Sequence, residues 1–167
     1  MSLPNPGAGL SNKDLIGLLK AVTCKGLSNA ALKIGTSSKT KVENDAAAVA
    51  CVNGKVVTVN ADTETAFTAT TDDIVASASA VREAIYLLLV DAAGTTSLYK
   101  GEEASGSGSA AWPAAPADKA VIGAIRIAVA AGSTNFDATT DELDEAHITD
   151  TYYNLSCSPA DIGQTLA

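Results

Sequence analysis

The strongest run of large apolar side chains is Ile85-Tyr86-Leu87-Leu88-Leu89-Val90, entered through Val81-Arg82-Glu83-Ala84. Read as a strand, it sets Val81, Glu83, Ile85, Leu87 and Leu89 on one face and Arg82, Ala84, Tyr86, Leu88 and Val90 on the other. From residue 84 onward both faces are apolar, so a sandwich, a barrel or a subunit interface has to cover the strand on both sides. Asp91-Ala92-Ala93-Gly94 supplies a turn, and residues 95–101 return as the hairpin partner. A second run, residues 120–131, alternates Val121, Gly123, Ile125, Ile127 and Val129 against Ile122, Ala124, Arg126 and Ala128. Arg126 predicts that this second strand has one half-exposed face.

Shorter strand signals precede this pair. Residues 31–36 alternate, and 40–42 extend the pairing after a Ser37-Ser38 turn. Asn53-Gly54 between residues 47–52 and 55–60 is a strong hairpin signal, because both turn positions need positive φ. Residues 66–69 read as a further strand, 70–80 as an irregular crossing and 148–155 as the last strand. Residues 23–30 read as loop, 135–147 as an acidic loop, and 102–111 (Glu-Glu-Ala-Ser-Gly-Ser-Gly-Ser-Ala-Ala) as a mobile low-complexity loop. The pattern predicts an all-β fold, an antiparallel β-sandwich or barrel of about eight short strands.

The front of the chain differs. Pro4, Pro6, Gly7 and Gly9 predict an extended arm, and Ser11 caps a short helix over residues 12–21 with Leu15, Leu18 and Leu19 on one face. Such a segment is amphipathic but too small to fold alone, which points to docking. The candidate partner-binding residues are Leu3, Pro4, Leu10, Leu15, Leu18 and Leu19. The expected organisation is an arm over 1–30, a β-rich domain over 31–156 and a tail over 157–167.

Charge narrows the partners. Eleven Lys and Arg against nineteen Asp and Glu give a formal net charge of -8. Wrapping nucleic acid needs clustered cations, and an anionic membrane surface attracts them, so neither is expected as a partner. Aromatics are only 4% of the chain. The expected layers are thin and small-residued, with a partner chain supplying part of the burial. Cys24, Cys51 and Cys157 form neither a disulfide framework nor a metal pattern. Residues 1–6 lack the basic start and apolar core of a signal peptide, and no apolar run approaches the ~20 residues that span a bilayer. The expected location is the cytoplasm, or a larger particle assembled there.

Candidate chemistry is sparse. His147 follows Asp137, Asp141, Glu142, Asp144 and Glu145, oxygen donors that suit calcium, but the spacing matches no EF-hand or zinc motif. A solvated acidic loop is the favoured reading, with no metal and no cofactor. A triad could assemble in space around His147, yet no Gly-x-Ser-x-Gly elbow is present, so no catalytic residue is assigned and the chain is not expected to be an enzyme. Glu102-Glu103 with the Gly-Ser loop hints at a phosphate cradle but lacks the P-loop lysine. Trp112 is either a ligand platform or, the favoured reading, a core plug. Asn154-Leu155-Ser156 fits a glycosylation acceptor, though nothing marks the chain for secretion.

The order of these pieces carries a resemblance. Leu32-Lys33-Ile34-Gly35 leads to Val52-Asn53-Gly54-Lys55-Val56, Thr65-Ala66-Phe67 and Tyr86-Leu87-Leu88-Leu89-Val90-Asp91-Ala92-Ala93-Gly94. Then come Trp112-Pro113-Ala114-Ala115-Pro116, Val121-Ile122-Gly123-Ala124-Ile125, Phe136, Thr139-Thr140-Asp141 and Tyr152-Tyr153-Asn154-Leu155. Over residues 31–156 this resembles small virion structural proteins of tailed bacteriophages, of the capsid decoration (cement) or head-fibre type. The resemblance implies a β-rich module, a trimer, placed on the capsid exterior and clamping neighbouring copies of the major capsid protein. A tail, baseplate or fibre-attachment component belongs to the same class. From other classes, a carbohydrate-binding β-sandwich with Trp112 and Tyr152-Tyr153 as platform, and a small hydrolase, remain as alternatives.

Overall fold

The computed structural model describes residues 25–155. The predicted arm up to residue 24, with all six candidate partner-binding residues, and the end of the chain from residue 156 lie outside the described residues. No helix occurs among the described residues. Their strands are β1 (Lys25–Gly26), β2 (Leu32–Ile34), β3 (Lys41–Asn44), β4 (Ala48–Val52), β5 (Lys55–Val59), β6 (Thr63–Ala66), β7 (Arg82–Val90), β8 (Thr96–Lys100), β9 (Ala104–Ser105), β10 (Ala120–Val129) and β11 (Ile148–Tyr153). They form three antiparallel sheets: β11-β10-β7-β8 with β9 also paired to β7, β1-β4-β5, and β2-β3-β6.

The fold is the expected all-β sandwich, with eleven strands among the described residues instead of about eight. β1 falls in the predicted 23–30 loop and β9 in the predicted mobile loop. Two residues are too short to leave a periodic signal, so only pairing reveals them. β6 begins three residues before the expected 66–69 strand. The Asn53-Gly54 hairpin is as read: both residues have positive φ, 51° and 78°.

β7 divides two cores, as its two apolar faces require. Ala84, Tyr86, Leu88 and Val90 face a large inner core with Leu32, Val42, the inward residues of β4 and β5, Phe67, Ile74, Phe136 and Leu143. Ile85, Leu87 and Leu89 face a smaller outer core with Val121 and Ala124. Phe67 stands edge-on to both Tyr86 and Phe136, at 5.3 and 5.8 Å between centroids. The Ile74–Phe136 bridge, with both backbone bonds at 3.0 Å, pins the irregular 70–80 crossing against the inner core.

The single alternation expected along residues 121–129 is corrected by a bulge. Pairing with β7 steps from Val121↔Leu89 to Gly123↔Leu88, and the extra residue reverses the phase. Val121 therefore lies on the outer core, whereas Ile122, Ile125, Ile127 and Val129 lie on the inner one. The bulge is also where other strands come closest. A Cβ on Gly123 would stand 2.5 Å from Leu32 Cδ1, and one on Gly26 of β1 would stand 2.5 Å from the Val121 carbonyl oxygen. Polar contacts tie the β2-β3-β6 sheet to both edges of the central sheet: Thr65 Oγ1 to Thr96 Oγ1 at 2.7 Å, and the Leu32 N–H to Asn154 Oδ1 at 2.6 Å.

Candidate functional site

The outer face of the central sheet is covered by loop residues that are themselves only partly buried. Strand alternation puts Glu83 on this face beside Ile85, and it is fully buried there. Its lid is the Gly-Ser segment, which is ordered around it. The Ala110 N–H donates to Glu83 Oε1 at 2.7 Å, and the amides of Gly108 and Ser109 lie near enough to favour the charged carboxylate. Positive φ at Gly106 and Gly108, 107° and 76°, lets successive amides converge as an anion nest. The segment expected to be a mobile surface loop therefore wraps the chain's own carboxylate. Burial pushes the Glu83 carboxyl up; the three amides and the Arg126 charge outweigh it and hold the group below the usual glutamate range. Arg126 Nε lies 3.7 Å from Glu83 Oε2, and neither atom has a hydrogen-bond partner among the described residues.

Beyond Glu83 the cover is thin: Ala110, Trp112 and Ala115, with Tyr153 and Leu155, pack on the outer core but are only partly buried. Trp112 meets Tyr153 edge-on at 5.0 Å, so it plugs this face while keeping surface in solvent. Tyr152 points the other way and packs against the inner core, as alternation along β11 requires. The expected platform of Trp112, Tyr152 and Tyr153 is therefore split between two faces. The aromatic that joins Trp112 is Tyr99, opposite Leu87 in β8 and 44% exposed. Its place follows from the hairpin register, which the sequence reading did not extend to that residue. Tyr99, Gly101 and Glu102 face Trp112, Pro113 and Ala114 across a groove of about 410 Å³.

A second cleft of about 600 Å³ lies along the same segment and is also lined by Tyr99 and Glu102. Its polar side chains are fixed by each other. Lys100 donates to Glu103 Oε1 at 2.8 Å and to the Asp73 carbonyl, and Arg82 Nη2 donates to Glu103 Oε2 at 3.0 Å. The Tyr86 hydroxyl donates to the Asp72 carbonyl at 2.5 Å, and the Thr68 N–H donates to Asp72 Oδ2 at 2.6 Å. Burial pushes the Asp72 carboxyl up. It pushes Glu103 up too, but the bonds and charges of Lys100 and Arg82 outweigh it and leave that group below its ordinary value.

The acidic 137–147 segment is spent on turns and on Lys39. Asp137 Oδ1 accepts from Thr139, Asp141 Oδ2 accepts from the Asp137 N–H at 2.7 Å, and Lys39 Nζ lies 2.6 Å from Asp144. His147 lies 3.4 Å from both Glu145 Oε2 and Thr134 Oγ1. Carboxylates converge elsewhere, at Glu43, Asp45 and Asp62. There the Lys33 ammonium, 3.0 Å from Glu43 and 2.5 Å from Asp45, already supplies the positive charge. We therefore expect a chelator to leave the thermal midpoint unchanged; a drop on chelation, reversed by added calcium, would show a cation site. Cys51 is a half-buried free thiol in β4, while Cys24 and Cys157 lie outside the described residues.

No protein family, no curated protein sequence and no solved structure matches the chain.

Proposed function

We propose that the protein is a structural virion component that binds the outer surface of a tailed-phage capsid as a trimer and clamps neighbouring major capsid proteins. The observation that carries this reading is the outer face of the central sheet. Its apolar core of Ile85, Leu87, Leu89, Val121 and Ala124 is roofed by small and half-exposed residues, and a partner surface would bury that apolar roof. Such a contact needs little area per copy, because a shell presents many identical sites and avidity multiplies weak single contacts. The net charge of -8 keeps unbound copies apart. In this reading the amphipathic segment carrying Leu15, Leu18 and Leu19 is a second contact, laid along the shell.

The test is co-sedimentation with expanded, DNA-filled capsids. The full chain is expected to pellet at a saturating, fixed ratio to the shell protein. Deletion of residues 1–20 should abolish pelleting while leaving the thermal transition in place. Failure of the full chain to pellet at any ratio would reject the reading, and normal binding by the truncated chain would reject the role of the arm.

A further inference from the structure

The two clefts along residues 99–103 open to solvent at the edge of the apolar roof, and the smaller one shares Trp112 with it. We propose that together they form a binding site for a neutral oligosaccharide, with Tyr99 as the stacking platform and Glu102 as a hydroxyl acceptor. Three observations converge. Tyr99 is a large aromatic left 44% exposed at the junction of both clefts, where the fold gains nothing from its exposure. Trp112 forms the far wall of the smaller cleft, so an apolar sugar face entering there meets two rings. Gly101 lets segment 99–103 run close over the sheet and against the Trp112-Pro113 wall, since a Cβ there would stand 3.0 Å from the Ile85 carbonyl oxygen and 3.2 Å from Pro113 Cγ.

Charge selects the class of ligand. The cations of the larger cleft, Arg82 and Lys100, are both bound to Glu103, and Lys100 also reaches the Asp73 carbonyl. Neither is left to attract a phosphate or a sulfated glycan. The same pairings fix these groups in place, and preorganised polar groups orient a hydroxyl-rich ligand at small entropic cost. Exposed Glu102, lining both clefts, adds an acceptor and repels polyanions. Clefts of about 600 and 410 Å³ suit a few sugar units.

Trp112 is the sole tryptophan of the chain, so its emission reports on the site directly. The full chain is titrated with maltohexaose, cellohexaose, chitohexaose, mannohexaose and a heparin hexasaccharide, and each titration is repeated by calorimetry to register binding that leaves the emission unchanged. At least one neutral series is expected to bind with Kd on the order of 0.1–1 mM. Tyr99→Ala should weaken it about tenfold with an unchanged thermal midpoint. Tyr99→Phe should retain binding, and Glu102→Gln should weaken it by about threefold. The proposal is overturned if no neutral oligosaccharide binds up to on the order of 10 mM, if heparin binds more tightly than all of them, or if Tyr99→Ala binds as well as wild type. None of these outcomes depends on capsid binding.

Discussion

Glu83→Ala is expected to lower stability by about 2–4 kcal/mol, because removing a fully buried carboxylate strands the amide donor bonded to it and the partly buried Arg126 beside it. The carboxylate has no exposed surface, and three consecutive amides of the Gly-Ser segment converge on it. Its loss leaves the Ala110 N–H without an acceptor and Arg126 beside an empty space of the wrong polarity. Glu83→Gln keeps an acceptor oxygen and should cost less, about 1–3 kcal/mol. Denaturant unfolding followed by Trp112 emission separates the two levels: the alanine variant should loosen the roof and redden the emission before global unfolding. If Glu83→Ala unfolds at the wild-type midpoint, the nest is incidental.

The same contact fixes the acid response. The folded-state pKa of Glu83 is depressed, so its contribution is complete above the unfolded value of about 4.3 and is lost as pH falls through the lower folded value. Glu43, Glu64 and Glu103 shift the same way and add to the loss. The Thr36 amide, with Lys33, lowers Glu43 against the opposing effect of burial; burial pushes Glu64 and Glu103 up, but Lys41 with two amides at Glu64, and Lys100 with Arg82 at Glu103, outweigh it. Stability should therefore fall steeply below about pH 4.5, and Glu83→Gln should flatten part of that slope. Asp72, raised by burial, works oppositely; its penalty is relieved as acid protonates it.

How much of this could be read from the chain depends on the range of the interaction. The two faces of β7 were legible because alternation is local, and the partition into two cores follows it residue by residue. The Asn53-Gly54 turn was legible because its chemistry lies in two adjacent residues. The phase of β10 was not, because its bulge answers to Gly26 and Leu32, strands distant in sequence. The Gly-Ser segment looked mobile by composition. What orders it is a single carboxylate about 25 residues upstream, and the clue was Glu83 on an otherwise apolar face. The meeting of Tyr99 and Trp112 at one cleft is hidden for a similar reason: it depends on how the segment after β9 folds back over the sheet.

Gly26→Ala tests the distant packing that the sequence concealed. The new Cβ would lie 2.5 Å from the Val121 carbonyl oxygen, a backbone atom inside the β10 bulge that cannot rotate aside. Relief requires β1 to lift from β10, which strains its two-residue pairing with Ala50 and Cys51. The expected cost is about 3 kcal/mol or more, at the upper end for overpacking. Gly123→Ala also places a Cβ too close, 2.5 Å from Leu32 Cδ1 and 2.8 Å from Leu32 Cγ, but these are side-chain atoms that can shift, not backbone. It should cost less, about 1–2 kcal/mol, and Leu32→Ala in the same chain should recover part of it, a coupling that a double-mutant cycle measures directly. Gly54→Ala has open space around it and pays only for its φ of 78°, about 1 kcal/mol. The order Gly26, Gly123, Gly54 in denaturation midpoints is therefore the expected result. A mild Gly26→Ala would mean that β1 is not held against the bulge and that the first described strand is peripheral to the fold.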